Sequence, residues 1–118
     1  MTILDIEYDA AVARLTMNAP DRLNAPSDEM LAALQSTLDT IALNPSVRVV
    51  ILAGHGKAFC AGHDLKEMAR KRQAPDKGAA ALRDLFTRCS DVMQMIRRLP
   101  QPVIAQVHGI ATAAGCQL

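Results

Sequence analysis

The first apolar residues of the chain alternate with polar ones. Over 2–9, Leu, Ile and Tyr alternate with acidic side chains, and a second alternation follows over 11–17. Because successive side chains of a strand point to opposite faces, the two runs predict two half-buried strands. Their closeness in the sequence predicts a hairpin through Asp9 and Ala10.

Helical spacing of apolar residues begins further along. The segment 18–27 contains two prolines, two asparagines and an Asp, which predicts a loop. Ser27 can then cap a helix whose apolar residues recur every three or four positions and which ends near Asn44 and Pro45. A more clearly amphipathic pattern predicts a second helix over 79–98, ending before Pro100.

Two short β-branched runs, at 47–53 and 102–107, end at or close to a glycine, Gly54 and Gly109. They predict buried strands, and right-handed crossovers through the intervening helix would make them parallel neighbours. The fold class is therefore α/β. Ligands of α/β proteins bind at the carboxyl ends of parallel strands, so the stretches after the two strands should face one crevice.

Composition narrows the class of protein. The chain has 118 residues, of which 50% are hydrophobic and 21% charged, with a net charge of +1, and these values fit one globular domain. They give no electrostatic case for nucleic acid or a membrane surface as a partner. The N-terminus is acidic rather than basic, which argues against a signal peptide, and three cysteines without metal-like spacing predict free thiols. These features predict a cytoplasmic protein.

The stretches at 54–65 and 109–116 are rich in Gly and Ala. Spacing alone favours a plain interpretation, in which small residues allow a helix to pack closely on the sheet. The alternative is functional. Main-chain N–H groups at two adjoining strand-to-helix turns could converge on one point and form an oxyanion hole.

Three stretches match a known family in order and spacing. They are "NAPDRLNAPS" at 18–27, which fits the pattern N-x-P-x-x-x-N-A, "KAFCAGHDLKEM" at 57–68 and "QPVIAQVHGIATAAGCQL" at 101–118. The chain resembles the enoyl-CoA hydratase/isomerase (crotonase) family along its whole length. Its motifs are most similar to the branch called enoyl-CoA hydratase domain-containing 3.

The resemblance implies a ClpP/crotonase spiral of ββα units, of which residues 1–118 would form the N-terminal part of a single domain whose C-terminal half is absent. It also implies an acyl-CoA thioester as substrate, a place in fatty acid metabolism and a homotrimer or a hexamer built as a dimer of trimers. Coenzyme A would enter as part of the substrate, and no separate cofactor or metal is expected.

Site residues can be carried over by motif. The two oxyanion N–H groups would belong to His63 and Ala114, and Gln117 would stand where hydratases of the family carry a Glu. Asp64 is expected to cap a short helix after the first turn. The residues implied to contact CoA are Arg22, Leu23, Ala25, Ala58, Phe59, Cys60, Ala61, Gly62, Asp64 and Leu65.

The departure at Gln117 matters because an amide cannot titrate near neutral pH. The resemblance therefore implies a lyase or isomerase that stabilises a thioester enolate. It does not decide whether the protein also hydrates enoyl-CoA. The alternative is a non-catalytic acyl-CoA-binding or assembly protein of the same fold.

Other side chains have two interpretations each. His63 could act as a base or metal ligand, but no second ligand is found at a suitable spacing, so its N–H is preferred. Cys60 and Cys116 are interpreted as small buried hydrophobes rather than nucleophiles. A run of basic side chains either pairs with the phosphates of CoA or forms a solvated, mobile loop. It consists of Lys66, Arg70, Lys71, Arg72 and Lys77.

Overall fold

The computed structural model describes residues 2–118 and has a four-stranded main sheet and a small second sheet. The strands are β1 (Leu4–Asp9), β2 (Val12–Met17), β3 (Val49–Gly54), β4 (Ala58–Cys60), β5 (Val103–Ala105) and β6 (Ile110–Ala111). The main sheet has the order β1-β2-β3-β5, and β4 pairs with β6. The α/β class predicted from the sequence is the observed one.

The two predicted parallel strands are neighbours. β3 pairs in parallel with both β2 and β5, whereas β1 and β2 form the antiparallel hairpin. The hairpin turn lies one residue later than predicted, because Asp9 pairs with Val12 and leaves Ala10 and Ala11 as the turn. Ala10 adopts a left-handed backbone there, with φ of 53°.

Three helices lie between strands along the chain, and a one-turn helix follows the last strand. They are α1 (Asp28–Ala42), α2 (Leu65–Lys71), α3 (Ala79–Arg98) and α4 (Ala114–Gln117). Ser27 caps α1 as predicted, since its side chain accepts a hydrogen bond from the N–H of Met30. The bounds of α3 are those predicted.

The core lies between the main sheet and the helices α1 and α3. Along β2, the buried Ala13, Leu15 and Met17 alternate with half-buried residues, as expected for a strand with one covered face. Their partners from α3 include Leu85 and Val92. The most extensive contact of α3 is with α1 rather than with the sheet on which it was predicted to pack.

Helix α2 corrects the prediction of a mobile loop at its residues. Asp64 caps it, accepting a hydrogen bond from the N–H of Lys66 at 2.9 Å, as expected. Lys71 forms an ion pair with Asp28 at the start of α1, with 2.5 Å between Nζ and Oδ2. The basic run by itself predicts a loop because it has no long apolar stripe. The cap and this ion pair hold it as a helix instead.

Candidate functional site

The two Gly/Ala-rich turns lie side by side. Strands β4 and β6 pair in parallel, with Cys60 opposite Ala111. Beyond the paired residues, the N–H of Thr112 donates to the Cys60 carbonyl at 3.1 Å, and its hydroxyl donates to the Ala61 carbonyl at 3.1 Å. The two stretches are therefore neighbours, as predicted from the parallel strands, and whether they share one crevice stays a prediction.

The main chains of the two turns approach too closely for larger residues. Gly115 is the tightest position, because an added methyl group would lie 1.8 Å from the carbonyl oxygen of Cys60. At Gly62, where φ is 93°, it would lie 3.1 Å from the Ala113 side chain and 3.8 Å from the Ala114 nitrogen. The plain interpretation of these small residues, close packing, is thus correct, and it also brings the two candidate N–H groups into the same region.

Both candidate oxyanion donors are available. Within residues 2–118, the N–H of His63 donates to no acceptor of the chain. Ala114 is the first residue of α4, so its N–H has no partner inside the helix, and it donates to no other acceptor of the described chain. N–H groups left without a partner at adjoining turns are the donors that an oxyanion hole needs.

Ala113, just before the second donor, has an unusual backbone. Its φ of 51° and ψ of −124° lie in a region that glycine adopts readily and that costs other residues about 1–3 kcal/mol. The N–H groups of Cys116 and Gln117 both donate to its carbonyl, at 3.1 and 3.2 Å. The surrounding contacts therefore hold Ala113 in this conformation, which sets the direction of the next N–H.

A cleft of about 570 Å³ opens beside the first turn. Most of the predicted CoA-contacting residues with exposed or half-buried side chains line it. The lining residues are Asp21, Arg22, Leu23, Ala61, Gly62, His63, Asp64, Leu65, Lys66 and Arg70.

Four of the predicted CoA-contacting residues do not line this cleft. Ala25, Ala58, Phe59 and Cys60 are each at most 2% exposed. The last three form β4, which is buried at every residue. Their side chains therefore face the interior, and their contact with CoA stays a prediction.

Three basic side chains give the cleft a positive side. Arg22, Lys66 and Arg70 all line it, and none of them forms an ion pair within the described part of the chain. Of the two acids in its wall, Asp64 is engaged in capping α2. Cationic groups without partners at a cleft are suited to a phosphorylated ligand.

The His63 ring packs against helix α3. Its centroid lies 5.2 Å from that of Phe86 at an interplanar angle of 82°, an edge-to-face arrangement. Burial lowers the pKa of His63, and the charge of Glu67 acts in the opposite direction. The usual pKa of histidine is about 6.5, so a lowered pKa leaves the ring neutral at pH 7.

The cysteines are all free, and they differ in environment. Cys60 and Cys89 are buried, and burial raises the pKa of both thiols, which keeps them protonated. Cys116 is exposed, so the prediction that it is a buried hydrophobe is wrong.

Among residues 2–118, no three His, Cys, Asp or Glu side chains lie close enough together to hold a metal ion.

Gln117 is the last residue of α4 and its side chain is exposed. Neither Gln117 nor Ala114 lines the cleft described above. Gly62, which lines the cleft, lies against Ala113 in the turn that carries Ala114 and Gln117.

In the part of the chain that the structure describes, no helix has the length and apolar character needed to cross a bilayer.

Asn24 is a residue of this site whose role the sequence analysis did not recognise. It is fully buried, and its Oδ1 accepts a hydrogen bond from the N–H of Ala19 at 2.9 Å. Its Nδ2 donates to the carbonyls of His55 and Ala58, both at 3.0 Å. The side chain thus ties the loop that carries Arg22 to the turn between β3 and β4. Its place in the N-x-P-x-x-x-N-A pattern was the available signal.

We expect Asn24→Asp to lower the free energy of unfolding at pH 7 by about 3 kcal/mol. The substitution removes two buried donors and places a carboxylate oxygen against two carbonyls, and each unsatisfied buried group costs about 1–3 kcal/mol. Urea denaturation measures the change. Asn18→Asp is the matched control, because the Asn18 amide makes only an exposed hydrogen bond, to Thr2. Equal losses in the two variants would show that Asn24 does not hold the loop.

Comparison with known proteins places the chain in a family. The family model for enoyl-CoA hydratase/isomerase matches residues 7–118. A solved enoyl-CoA hydratase from Mycobacterium smegmatis superposes with a TM-score of 0.92 at 55% identity, covering 100% of this chain and 44% of that one. The crotonase-like fold predicted from the motifs is confirmed.

Curated relatives agree with this assignment. A protein of Danio rerio named enoyl-CoA hydratase domain-containing protein 3, mitochondrial, is 41% identical over 112 residues, which are 95% of this chain and 37% of that protein. The 1,2-epoxyphenylacetyl-CoA isomerase of Escherichia coli is 36% identical over 112 residues, covering 93% of this chain and 41% of that enzyme. The chain therefore spans about two fifths of the length of the relatives it matches.

The names of these relatives correct one prediction. The Danio rerio protein and its namesakes from Xenopus laevis and Homo sapiens are called mitochondrial. The cytoplasmic location predicted from the acidic N-terminus conflicts with them and is wrong. The match to the branch named after domain-containing protein 3 agrees with the prediction from the motifs. By its family match, its fold and its relatives, the chain belongs to the enoyl-CoA hydratase/isomerase family.

Proposed function

We propose that the protein binds acyl-CoA thioesters and stabilises the enolate of the thioester with the main-chain N–H groups of His63 and Ala114. The observation that carries the proposal is the contact between the two turns, each of which presents an N–H without an acceptor in the chain. Donors fixed before the reaction stabilise developing negative charge without a cost of reorganisation.

The cleft supports the same ligand. Coenzyme A carries phosphate groups, and Arg22, Lys66 and Arg70 line the cleft next to the first turn. With the thioester oxygen at the two N–H groups, the CoA moiety would extend along this positive side. The coenzyme is part of the substrate in this proposal, and the chemistry requires no further cofactor.

The reaction class follows from the side chain at Gln117. In a 3-enoyl thioester, a base takes a proton from the carbon next to the carbonyl to give a dienolate, and the same group returns the proton to the γ carbon, which moves the double bond into conjugation. That base would be a group other than the amide of Gln117 and the two main-chain donors. An amide at 117 cannot take part in proton transfer, which favours an isomerisation that needs one acid–base group over a hydration that needs two. Family membership does not favour the alternative of a non-catalytic binding protein.

The assembly is also a proposal. Family resemblance supports a homotrimer, or a hexamer formed from two trimers. Several large apolar side chains near β5 and β6 are about half exposed in this chain, among them Ile104, Val107 and Ile110. Such side chains are suited to burial by further protein, whether the rest of the polypeptide or a partner subunit, so the proposed assembly rests on the resemblance alone.

Acyl-CoA binding by the full-length protein tests the proposal. We expect butyryl-CoA to bind in calorimetry, and the double variant Arg22→Gln/Arg70→Gln to bind it at least about tenfold more weakly, since hydrogen bonds to charged groups contribute about 1.5–3 kcal/mol. Arg83→Gln is the control, because Arg83 is exposed on α3 and does not line the cleft. If butyryl-CoA does not bind, or if the double variant binds it as tightly as the wild type, the proposed site is wrong.

A further inference from the structure

Helix α2 has two faces with different contacts. Lys66 and Arg70, four positions apart, line the cleft and form its basic face. Glu67 and Lys71, also four positions apart, contact the start of α1 instead. Residues four apart lie on the same side of a helix, and neighbouring residues point in different directions around it. The contacts of the second face with α1 therefore set the direction in which the basic face points.

Asp28, the first residue of α1, is the point at which α2 is attached. Its main-chain N–H donates to Oε1 of Glu67 at 3.3 Å, and its Oδ2 accepts a hydrogen bond from Nζ of Lys71 at 2.5 Å. Its other carboxylate oxygen, Oδ1, lies 3.6 Å from Nη1 of Arg88 on α3. One carboxylate thus joins α2 to both of the longer helices.

The attachment is partly shielded from water. The side chains of Glu67 and Lys71 are 12% and 17% exposed, and that of Asp28 is 41% exposed. Fully exposed ion pairs contribute little because water and salt screen them, and the screening is weaker where side chains are shielded. Met68 adds an apolar contact with the core. Because a helix of seven residues is not stable by itself in water, the order of α2 depends on such contacts.

We propose that Asp28 and Lys71 are positioning residues, whose ion pair holds α2 in the orientation that presents Lys66 and Arg70 to the phosphates of a coenzyme A thioester. Lys71 then acts on the ligand through the helix and not by contact. A basic face that is already ordered loses less conformational entropy on binding than a mobile one. This inference rests on the proposed function, because the orientation of α2 matters only if the cleft binds the coenzyme.

The substitution Asp28→Asn separates positioning from a plain effect of charge. It removes a negative charge close to the cleft, so an effect through the electrostatic field alone would make phosphates bind more tightly. Loss of the ion pair with Lys71 would make them bind more weakly. Glu29→Gln is the matched control, because Glu29 is the next acid in the first turn of α1, is exposed and forms no ion pair within the described residues.

Calorimetry of the full-length protein with butyryl-CoA and butyryl-pantetheine measures the effect, since the second ligand keeps the thioester and lacks every phosphate. We expect the wild type to prefer butyryl-CoA. The preference should fall at least about fivefold in Asp28→Asn and in Lys71→Met, as expected when a contact with a charged group is lost. Glu29→Gln should retain it, and so should Lys71→Arg, which keeps the cation. A purely structural role would lower the stability of the variants and leave the preference unchanged.

The outcomes distinguish this inference from the proposed function. If the wild type binds neither ligand, the proposed function fails and the inference fails with it. If the wild type binds both ligands equally, or if Asp28→Asn keeps or increases the preference, the positioning role is overturned while thioester binding stands. An equal fall in Glu29→Gln would overturn it as well. Should Lys71→Met not fold, Asp28→Asn decides alone, because it is nearly equal in size and its site is partly exposed.

Discussion

Replacing Ala114 by Pro should lower the turnover number of the full-length protein on an acyl-CoA substrate by about 10²–10³, the usual effect of removing one oxyanion donor. Proline has no N–H, and it is well tolerated at the first position of a helix, which is the place of Ala114 in α4. The conversion of a 3-enoyl-CoA to its conjugated 2-enoyl isomer, followed by absorbance, measures the rate.

Ala114→Gly is the control for this experiment, since it changes the side chain and keeps the donor. We expect the control to retain most of the wild-type rate. Thermal melting of both variants shows whether the fold is intact, because the φ and ψ of Ala113 leave little freedom before a proline. A folded Pro variant with unchanged turnover would show that the enolate is stabilised elsewhere.

Gln117→Glu should raise the hydration of crotonyl-CoA by at least about tenfold, the low end of what an added acid or base contributes. Gln and Glu are nearly equal in size, so the substitution changes the charge of the side chain and little else. Steady-state kinetics on the full-length wild type and variant give the comparison. Gln117→Met serves as the control because it removes the amide without adding a titratable group.

The result for wild-type protein is informative as well. If hydration needs an acid at this position, the wild type should hydrate crotonyl-CoA slowly or not at all while still catalysing isomerisation. Robust wild-type hydration that the Glu substitution does not change would mean that the acid–base groups come entirely from other parts of the protein. The role assigned to Gln117 would then be wrong.

The sequence predicted those elements whose side chains form a long periodic pattern. Helix α3 has the predicted bounds because its apolar residues repeat over twenty positions. The parallel pairing of β3 with β5 followed from two β-branched runs joined through a helix. The Ser27 cap is likewise a local feature, and local chemistry suffices to predict it.

The second sheet could not be predicted in this way. Strands β4 and β6 have three and two residues, too few for any periodicity to show. They are strands only because they pair with each other across about fifty residues of sequence. A short helix at α2 was expected only through the Asp64 cap that the family resemblance implies, because the contact of the helix with Asp28 on α1 is not visible in its own composition.

For the site, the motifs located the two turns, and the structure showed what holds them together. The hydrogen bonds of Asn24 reach residues more than thirty positions away, so the local motif marks Asn24 without showing which residues it contacts. The packing of His63 on Phe86 is equally non-local. These contacts decide which atoms of a motif residue remain free for a ligand.

The tight contact between Gly115 and Cys60 has an evolutionary consequence. No residue larger than glycine fits between the two segments, so a single substitution there would disturb both turns at once. Gln117 lies outside this contact and is exposed, and it can be exchanged without that penalty. We therefore expect the two proposed main-chain donors to be inherited as a unit, while the side chain at 117 can change without disturbing either turn.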